Sequence, residues 1–168
     1  MQGGPGSRKG TVCKYIKERH QTVDSISLGE QLRQEVQDPQ SSFRDFIIEN
    51  FSRGIAVPAT VEIKIFRKRL EKSAREGRTT VILDRFPRST KKLQSFERET
   101  SAQYETVYLD CAPELLAHRL GTRAESGRAD DEDETIRLRR AANYNQEASE
   151  VIKSLRERPF HEVHSPSS

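Results

Sequence analysis

Gly3-Gly4-Pro5-Gly6-Ser7-Arg8-Lys9-Gly10-Thr11 stands directly before a helical pattern in which Val12, Tyr15 and Ile16 recur on one face. Glycines let backbone N–H groups converge on phosphate oxygens, and a helix N-terminus behind them adds favourable partial charge. In such a loop Gly6, Ser7, Arg8, Lys9, Gly10 and Thr11 form the cradle, Lys9 reaches the terminal phosphates, and the Thr11 hydroxyl can serve phosphate or Mg²⁺. Arg8 occupies a position where the phosphate-loop pattern has glycine. By that pattern alone, a flexible glycine-rich tail fits the stretch about equally well.

The residues beyond the loop decide the matter. Leu28 and Leu32 open a second helical stretch, and Phe43, Phe46, Ile47 and Phe51 form an apolar stripe in a third, stopped by Gly54. Pro58 opens a fourth that runs through Val61, Ile65, Phe66 and Leu70 to Gly77. Thr80-Val81-Ile82-Leu83-Asp84 and Thr106-Val107-Tyr108-Leu109-Asp110 are short apolar runs, expected as buried strands of a parallel sheet. A polar helix carrying Leu93 and Phe96 separates them. Another from Pro113 carries Leu115, Leu116 and Leu120, a charged helix spans about Glu134 to Arg156, and Phe160 to Val163 forms a last strand. Helices alternating with short strands predict an α/β fold, a parallel sheet flanked by helices, in one domain over residues 1–168.

Composition narrows the partners. Apolar and charged residues each make up 33% of the 168, so the core is expected to be thin. A net charge of +3 from 29 basic and 26 acidic residues is too balanced to point to nucleic acid. Cys13 and Cys111 lack metal-ligand spacing and are expected as small core residues in a reduced compartment. The sequence has neither a secretory signal pattern nor an apolar run of about 18 residues. The expectation is a soluble cytoplasmic protein, monomeric, with no membrane or nucleic-acid partner.

Two further motifs bear on chemistry. Leu83-Asp84-Arg85-Phe86-Pro87-Arg88 closes the best strand, and parallel α/β sheets place ligand sites at strand C-termini. There an aspartate can hold metal-bound water, and an arginine just beyond can bridge phosphates bidentately. An ordinary strand-to-helix turn with solvated charges would read the same. Arg119 and Arg123 share a helix face, followed by Arg128-Ala129-Asp130-Asp131 and then Arg139. Phosphoryl transfer needs such cations, although charge-rich helices are more often solvated faces.

Taken in order, GGPGSRKGT, ISLGEQLR, RGIAVP, LDRFPRS, VYLDCAPELLAHRL and ESGRADDEDETIRLR resemble the nucleoside monophosphate kinases, from about Gly3 to Val163. The linker between Arg123 and Arg128 is similar to the short-lid type, although one residue shorter. The resemblance implies a P-loop parallel sheet with a small acceptor-binding segment at about 27–57 and a lid at about 123–133. It also implies transfer of the γ-phosphoryl of Mg²⁺-ATP to UMP/CMP or AMP. It assigns Lys9 as the principal cation and Asp84 to Mg²⁺ through water, with Arg119 and Arg123 on the ATP side. Ser27, Arg33, Ile55, Ala56 and Val57 would receive the monophosphate, together with Arg85, Phe86, Pro87 and Lys92. Arg88 would lie between donor and acceptor, and Arg128 and Arg139 would clamp the transferring group, with Asp130 and Asp131 helping the lid to close.

Several positions depart from that pattern. Arg8 and Arg85 stand where the family has glycine, and Lys92 stands where an amide reads the base. A lysine offers donors and no acceptor. Only Met1 and Gln2 precede the loop, where the family has a hydrophobic central strand, and the family's final helix has no counterpart. The neighbours of such a strand are expected to carry unpaired backbone groups. These departures leave a nonenzymatic nucleotide-binding relative, or an inactive truncated fragment, as the rival reading, with a charged helical interaction protein a distant third.

Overall fold

In a computed structural model that describes residues 1–53, 55–112, 114–116, 118–119 and 149–164, the chain runs β1 (Gln2–Gly3), α1 (Lys9–Arg19), β2 (Val23–Ser27), α2 (Leu28–Gln37), α3 (Arg44–Ser52), α4 (Ala59–Arg75), β3 (Thr80–Asp84), α5 (Thr90–Thr100), β4 (Thr106–Asp110) and β5 (Phe160–His164). Residues 149–156 are also helical. The chain forms two compact units, each discontinuous in sequence. One gathers Met1–Val12, Pro87–Thr90 and the residues from Gln103 onward; the other gathers Cys13–Phe86 and Lys91–Ala102.

The second unit is built on β2 and β3, paired in parallel from Val23↔Thr80 to Ser27↔Asp84. Ile26, Ile47, Ile63, Ile65 and Phe66 are fully buried, so α4 sends an apolar stripe into the core while α3 contributes Ile47 alone. Phe86 packs edge-on to Phe66 at 4.6 Å and to Phe96 at 5.2 Å between ring centroids, which ties the end of β3 to α4 and α5. Helix α4 begins behind Pro58, whose φ of −59° suits that place. It ends in a Schellman turn: Gly77 at φ 76° donates to the Ala74 carbonyl, and Arg78 N–H reaches the Ser73 carbonyl at 3.0 Å.

Strand β2 has no counterpart in the sequence reading. Three of its five residues are polar, and one of the two buried ones is Asp24. Its carboxylate takes the Lys17 ammonium at 2.8 Å, the Ser73 hydroxyl at 2.7 Å, the Ser25 amide at 2.8 Å and the Arg69 guanidinium. Burial pushes this carboxyl up, but the bonds from Lys17, Ser73 and Ser25 and the Arg69 charge outweigh it and hold the group at about 2.

The first unit holds a parallel sheet in the order β1-β4-β5, with Gln2↔Tyr108, Gly3↔Leu109 and Thr106↔Phe160 in register. The two residues of β1 therefore do form a strand, although only Met1 and Gln2 precede the loop. Leu109, Val151 and Leu155 supply buried apolar surface here.

Four expectations need correction. Strand β3 is half-buried over Val81 to Asp84 rather than buried, because among the described residues it pairs with β2 alone. In α3 only Ile47 is buried, while Phe46 and Phe51 are exposed. Tyr15 also faces out of α1, with the Arg19 guanidinium 3.7 Å over its ring. Cys13 is buried as expected, but Cys111 is only half-buried. Gly54, Pro113, Leu120 and most of the span from Glu134 to Arg156 lie outside the described residues.

Candidate functional site

In the first unit β1 turns directly into the glycine-rich loop. Gly3 has φ 141°, and a Cβ there would lie 2.7 Å from the Leu109 carbonyl oxygen, so only glycine lets the strand pass so close to β4. Gly6 follows at φ 87°, the Ser7 amide donates to the Gly4 carbonyl at 3.2 Å, and α1 starts with Val12 N–H on the Arg8 carbonyl at 3.0 Å. The Lys9 side chain folds back into this turn. Its ammonium donates to the carbonyls of Gly3 at 2.6 Å and Gly4 at 2.8 Å and to the Ser7 hydroxyl at 3.0 Å. Lys9 and Ser7 are buried, whereas Arg8, Gly10 and Thr11 face solvent. The first turn of α1 contains no acidic residue, so the helix's own sequence does not offset its positive end.

The far side of the loop is tied to Pro87, whose carbonyl accepts the Gln2 side-chain amide at 2.8 Å. Gln2 is buried, and sequence reasoning missed this role because a lone glutamine carries no pattern. Arg88, next along, is exposed. Arg119 is half-buried and lies 3.8 Å from the Cys111 sulfur. Arg123, Arg128, Arg139, Asp130 and Asp131 lie outside the described residues.

In the second unit the C-terminal ends of β2 and β3 bring Ser27 beside Asp84 in register. Ser27 is the N-cap of α2 and its side chain makes no capping hydrogen bond. Arg33 lies one turn on from Gly29, where a Cβ would meet Nη1 at 3.6 Å, an ordinary contact. Arg33, Ile55 and Ala56 are exposed, and Val57 is buried. Oδ1 of Asp84 is buried and has no hydrogen-bond partner among the described residues. A buried acceptor in that state fits the water shell of a divalent ion.

Arg8 and Arg85 share one property. Both are non-glycine residues in the left-handed region, at φ 61° and 59°. That conformation costs a side-chain-bearing residue about 1–2 kcal/mol, and it explains why a glycine pattern surrounds both positions. Phe86 and Lys92 are engaged elsewhere in their unit. The Phe86 ring belongs to the aromatic cluster, and the Lys92 ammonium lies 2.7 Å from Oε2 of Glu62, itself buried. Glu62 is a second residue that sequence reasoning missed, since nothing in its neighbours marks it as inward-facing.

The sequence profile described as adenylate kinase matches residues 1–159. The chain belongs to the adenylate kinase family. This is a family of nucleoside monophosphate kinases, which are phosphotransferases, and its enzymes use ATP with a divalent metal. The uridylate kinase of Schizosaccharomyces pombe is 30% identical over 155 residues, 92% of this chain and 81% of that protein. UMP-CMP kinase 3 of Arabidopsis thaliana is 37% identical over 139 residues, 82% of this chain and 65% of the relative. Adenylate kinase isoenzyme 1 of Caenorhabditis elegans is 35% identical over 140 residues, with the same two shares. Against these last two relatives the chain spans just under two thirds of their length. No helix among the described residues is long and apolar enough to cross a membrane.

Proposed function

We propose that this chain transfers the γ-phosphoryl of Mg²⁺-ATP to a nucleoside monophosphate, UMP/CMP or AMP, acting as a cytoplasmic monomer. The supporting observation is the Lys9 ammonium, held in its own glycine-rich turn at the N-terminal end of α1, whose first turn contains no acidic residue. Incoming phosphate oxygens replace the Gly3 and Gly4 carbonyls as acceptors for Lys9, and the exposed N-terminal turn of α1 supplies further donors. Gly6 to Thr11 cradle the donor phosphates. Asp84 would hold Mg²⁺ through water, and the ion would neutralise charge on the phosphate oxygens.

In this reading residues 27–57 receive the acceptor, with Arg33 on its phosphate and Ile55 to Val57 along its nucleoside. Arg85 to Arg88 and Lys92 border it, with Arg88 between the two nucleotides. Arg119 and Arg123 hold the ATP side, and Arg128 and Arg139 close on the transferring group with the lid at about 123–133. The test is ADP formation with AMP, CMP, UMP and GMP in turn. Turnover that depends on one acceptor and disappears in Lys9→Ala and Arg88→Ala is expected; a folded protein inactive on all four defeats the proposal.

The left-handed Arg8 and Arg85 favour a second reading, a nucleotide-binding relative without turnover. It expects ATP binding without ADP formation, and turnover recovered when both positions are returned to glycine.

A further inference from the structure

The C-terminal ends of β4 and β5 carry a cluster that the phosphoryl-transfer reading leaves unused. Asp110 closes β4 and stands in register with His164, which closes β5. Glu162 lies two residues before His164 and so projects from the same face of the strand. One ligand atom from each of the three residues lies within 4.8 Å of the other two. We propose that Asp110, Glu162 and His164 form a binding site for a divalent transition-metal ion, zinc being the ion that suits it best.

The argument rests on spacing and donor chemistry. His164 Nδ1 is 3.1 Å from Asp110 Oδ2. Two ligand atoms bonded at about 2.0–2.1 Å to one zinc ion stand roughly 2.8–3.4 Å apart for angles between square and tetrahedral. The pair already stands at that separation, brought together by strand register and joined by a hydrogen bond that an incoming ion would replace. Glu162 supplies the third donor, and its carboxylate is oriented by the Arg156 guanidinium, 2.8 Å from Oε2. Arg156 is steadied in turn by the Phe160 ring, 4.8 Å beneath it. One imidazole with two carboxylates selects zinc-like ions over magnesium, which prefers oxygen alone and keeps its waters. Three protein ligands leave a coordination position open to water or to a small anion.

The same two strands contain a control. At their other end His161 meets Glu105 at 3.0 Å. That histidine–carboxylate pair belongs to no three-donor group among the described residues. An ion held by any histidine beside an acid would not distinguish the two ends; the proposed site does.

The experiment is calorimetric titration of the nucleotide-free full chain with zinc chloride, followed by visible absorption with Co²⁺ as a spectroscopic substitute. One equivalent of zinc is expected, undisturbed by millimolar Mg²⁺. His164→Ala and Asp110→Asn should each weaken it at least about tenfold, while His161→Ala binds as the unaltered chain does. His164 is largely exposed and Asp110 partly so, and the variants should melt normally. Equal losses in His161→Ala and His164→Ala overturn the proposal. So does binding that ignores all three substitutions, which would mark an adventitious ion only.

Discussion

Lys9 and Asp24 are both charged side chains shut away from water, and they are held in opposite ways. Lys9 donates to two carbonyls and a hydroxyl, three neutral acceptors of its own turn. Asp24 is gripped by Lys17 from α1 and by Arg69 and Ser73 from α4, two cations and a hydroxyl drawn from distant parts of the chain. A neutral acceptor can be exchanged for a phosphate oxygen with a gain in attraction, whereas an ion already matched by two opposite charges offers a ligand nothing. The first arrangement suits binding and the second suits stability.

Lys9→Ala should break the binding side of this contrast. Turnover should fall roughly 10³-fold or more, about 4 kcal/mol of transition-state stabilisation. The urea midpoint should register a loss of no more than about 1–2 kcal/mol, the hydrogen bonds alone. A larger loss would place Lys9 with Asp24 as a structural anchor. Asp24→Ala tests the other side: it leaves Lys17 and Arg69 facing each other without their acid and should cost about 3 kcal/mol, read by the same melts. ATP affinity of the folded fraction should not change.

Acid sharpens the contrast further. The folded Asp24 carboxyl sits at about 2 against an ordinary 3.8. Its contribution is therefore complete above about pH 4 and disappears as the pH falls toward 2, worth about 2 kcal/mol in all. Asp24→Asn should flatten that part of the stability profile. The smallest effect is at Arg85. Arg85→Gly should relieve left-handed strain and raise stability by up to about 1 kcal/mol, part of the relief being offset by the freedom glycine gains when unfolded.

Asp24 also shows why some of the fold was illegible. The alternation that marks a strand was present in β2, but an acid occupied one of its two buried positions, so the inward face read as polar. Strands β3 and β4 were legible because Val, Ile, Leu and Tyr run together without interruption. Their burial was not, since burial depends on how many edges find a neighbour, and β3 has β2 alone among the described residues. At the candidate site the glycine-rich loop and Lys9 were legible only together with the motifs that follow them, since the loop's own pattern suited a flexible tail equally well. The departures at Arg8 and Arg85 were visible as letters, but their shared left-handed backbone was not. Gln2 and Glu62 gave no warning, because what they do depends on a carbonyl and an ammonium brought from elsewhere in the chain.

The pairing of β1 with β4 also sets an order of events. Gln2 and Gly3 meet Tyr108 and Leu109, and between them lies the whole second unit. Contacts so remote in sequence carry a high closure entropy and form late. During synthesis the loop around Lys9 is made before β4, and it stays without that scaffold until residues 106–110 have emerged. The most chemically specialised turn of the chain is thus made well before the strand that secures it.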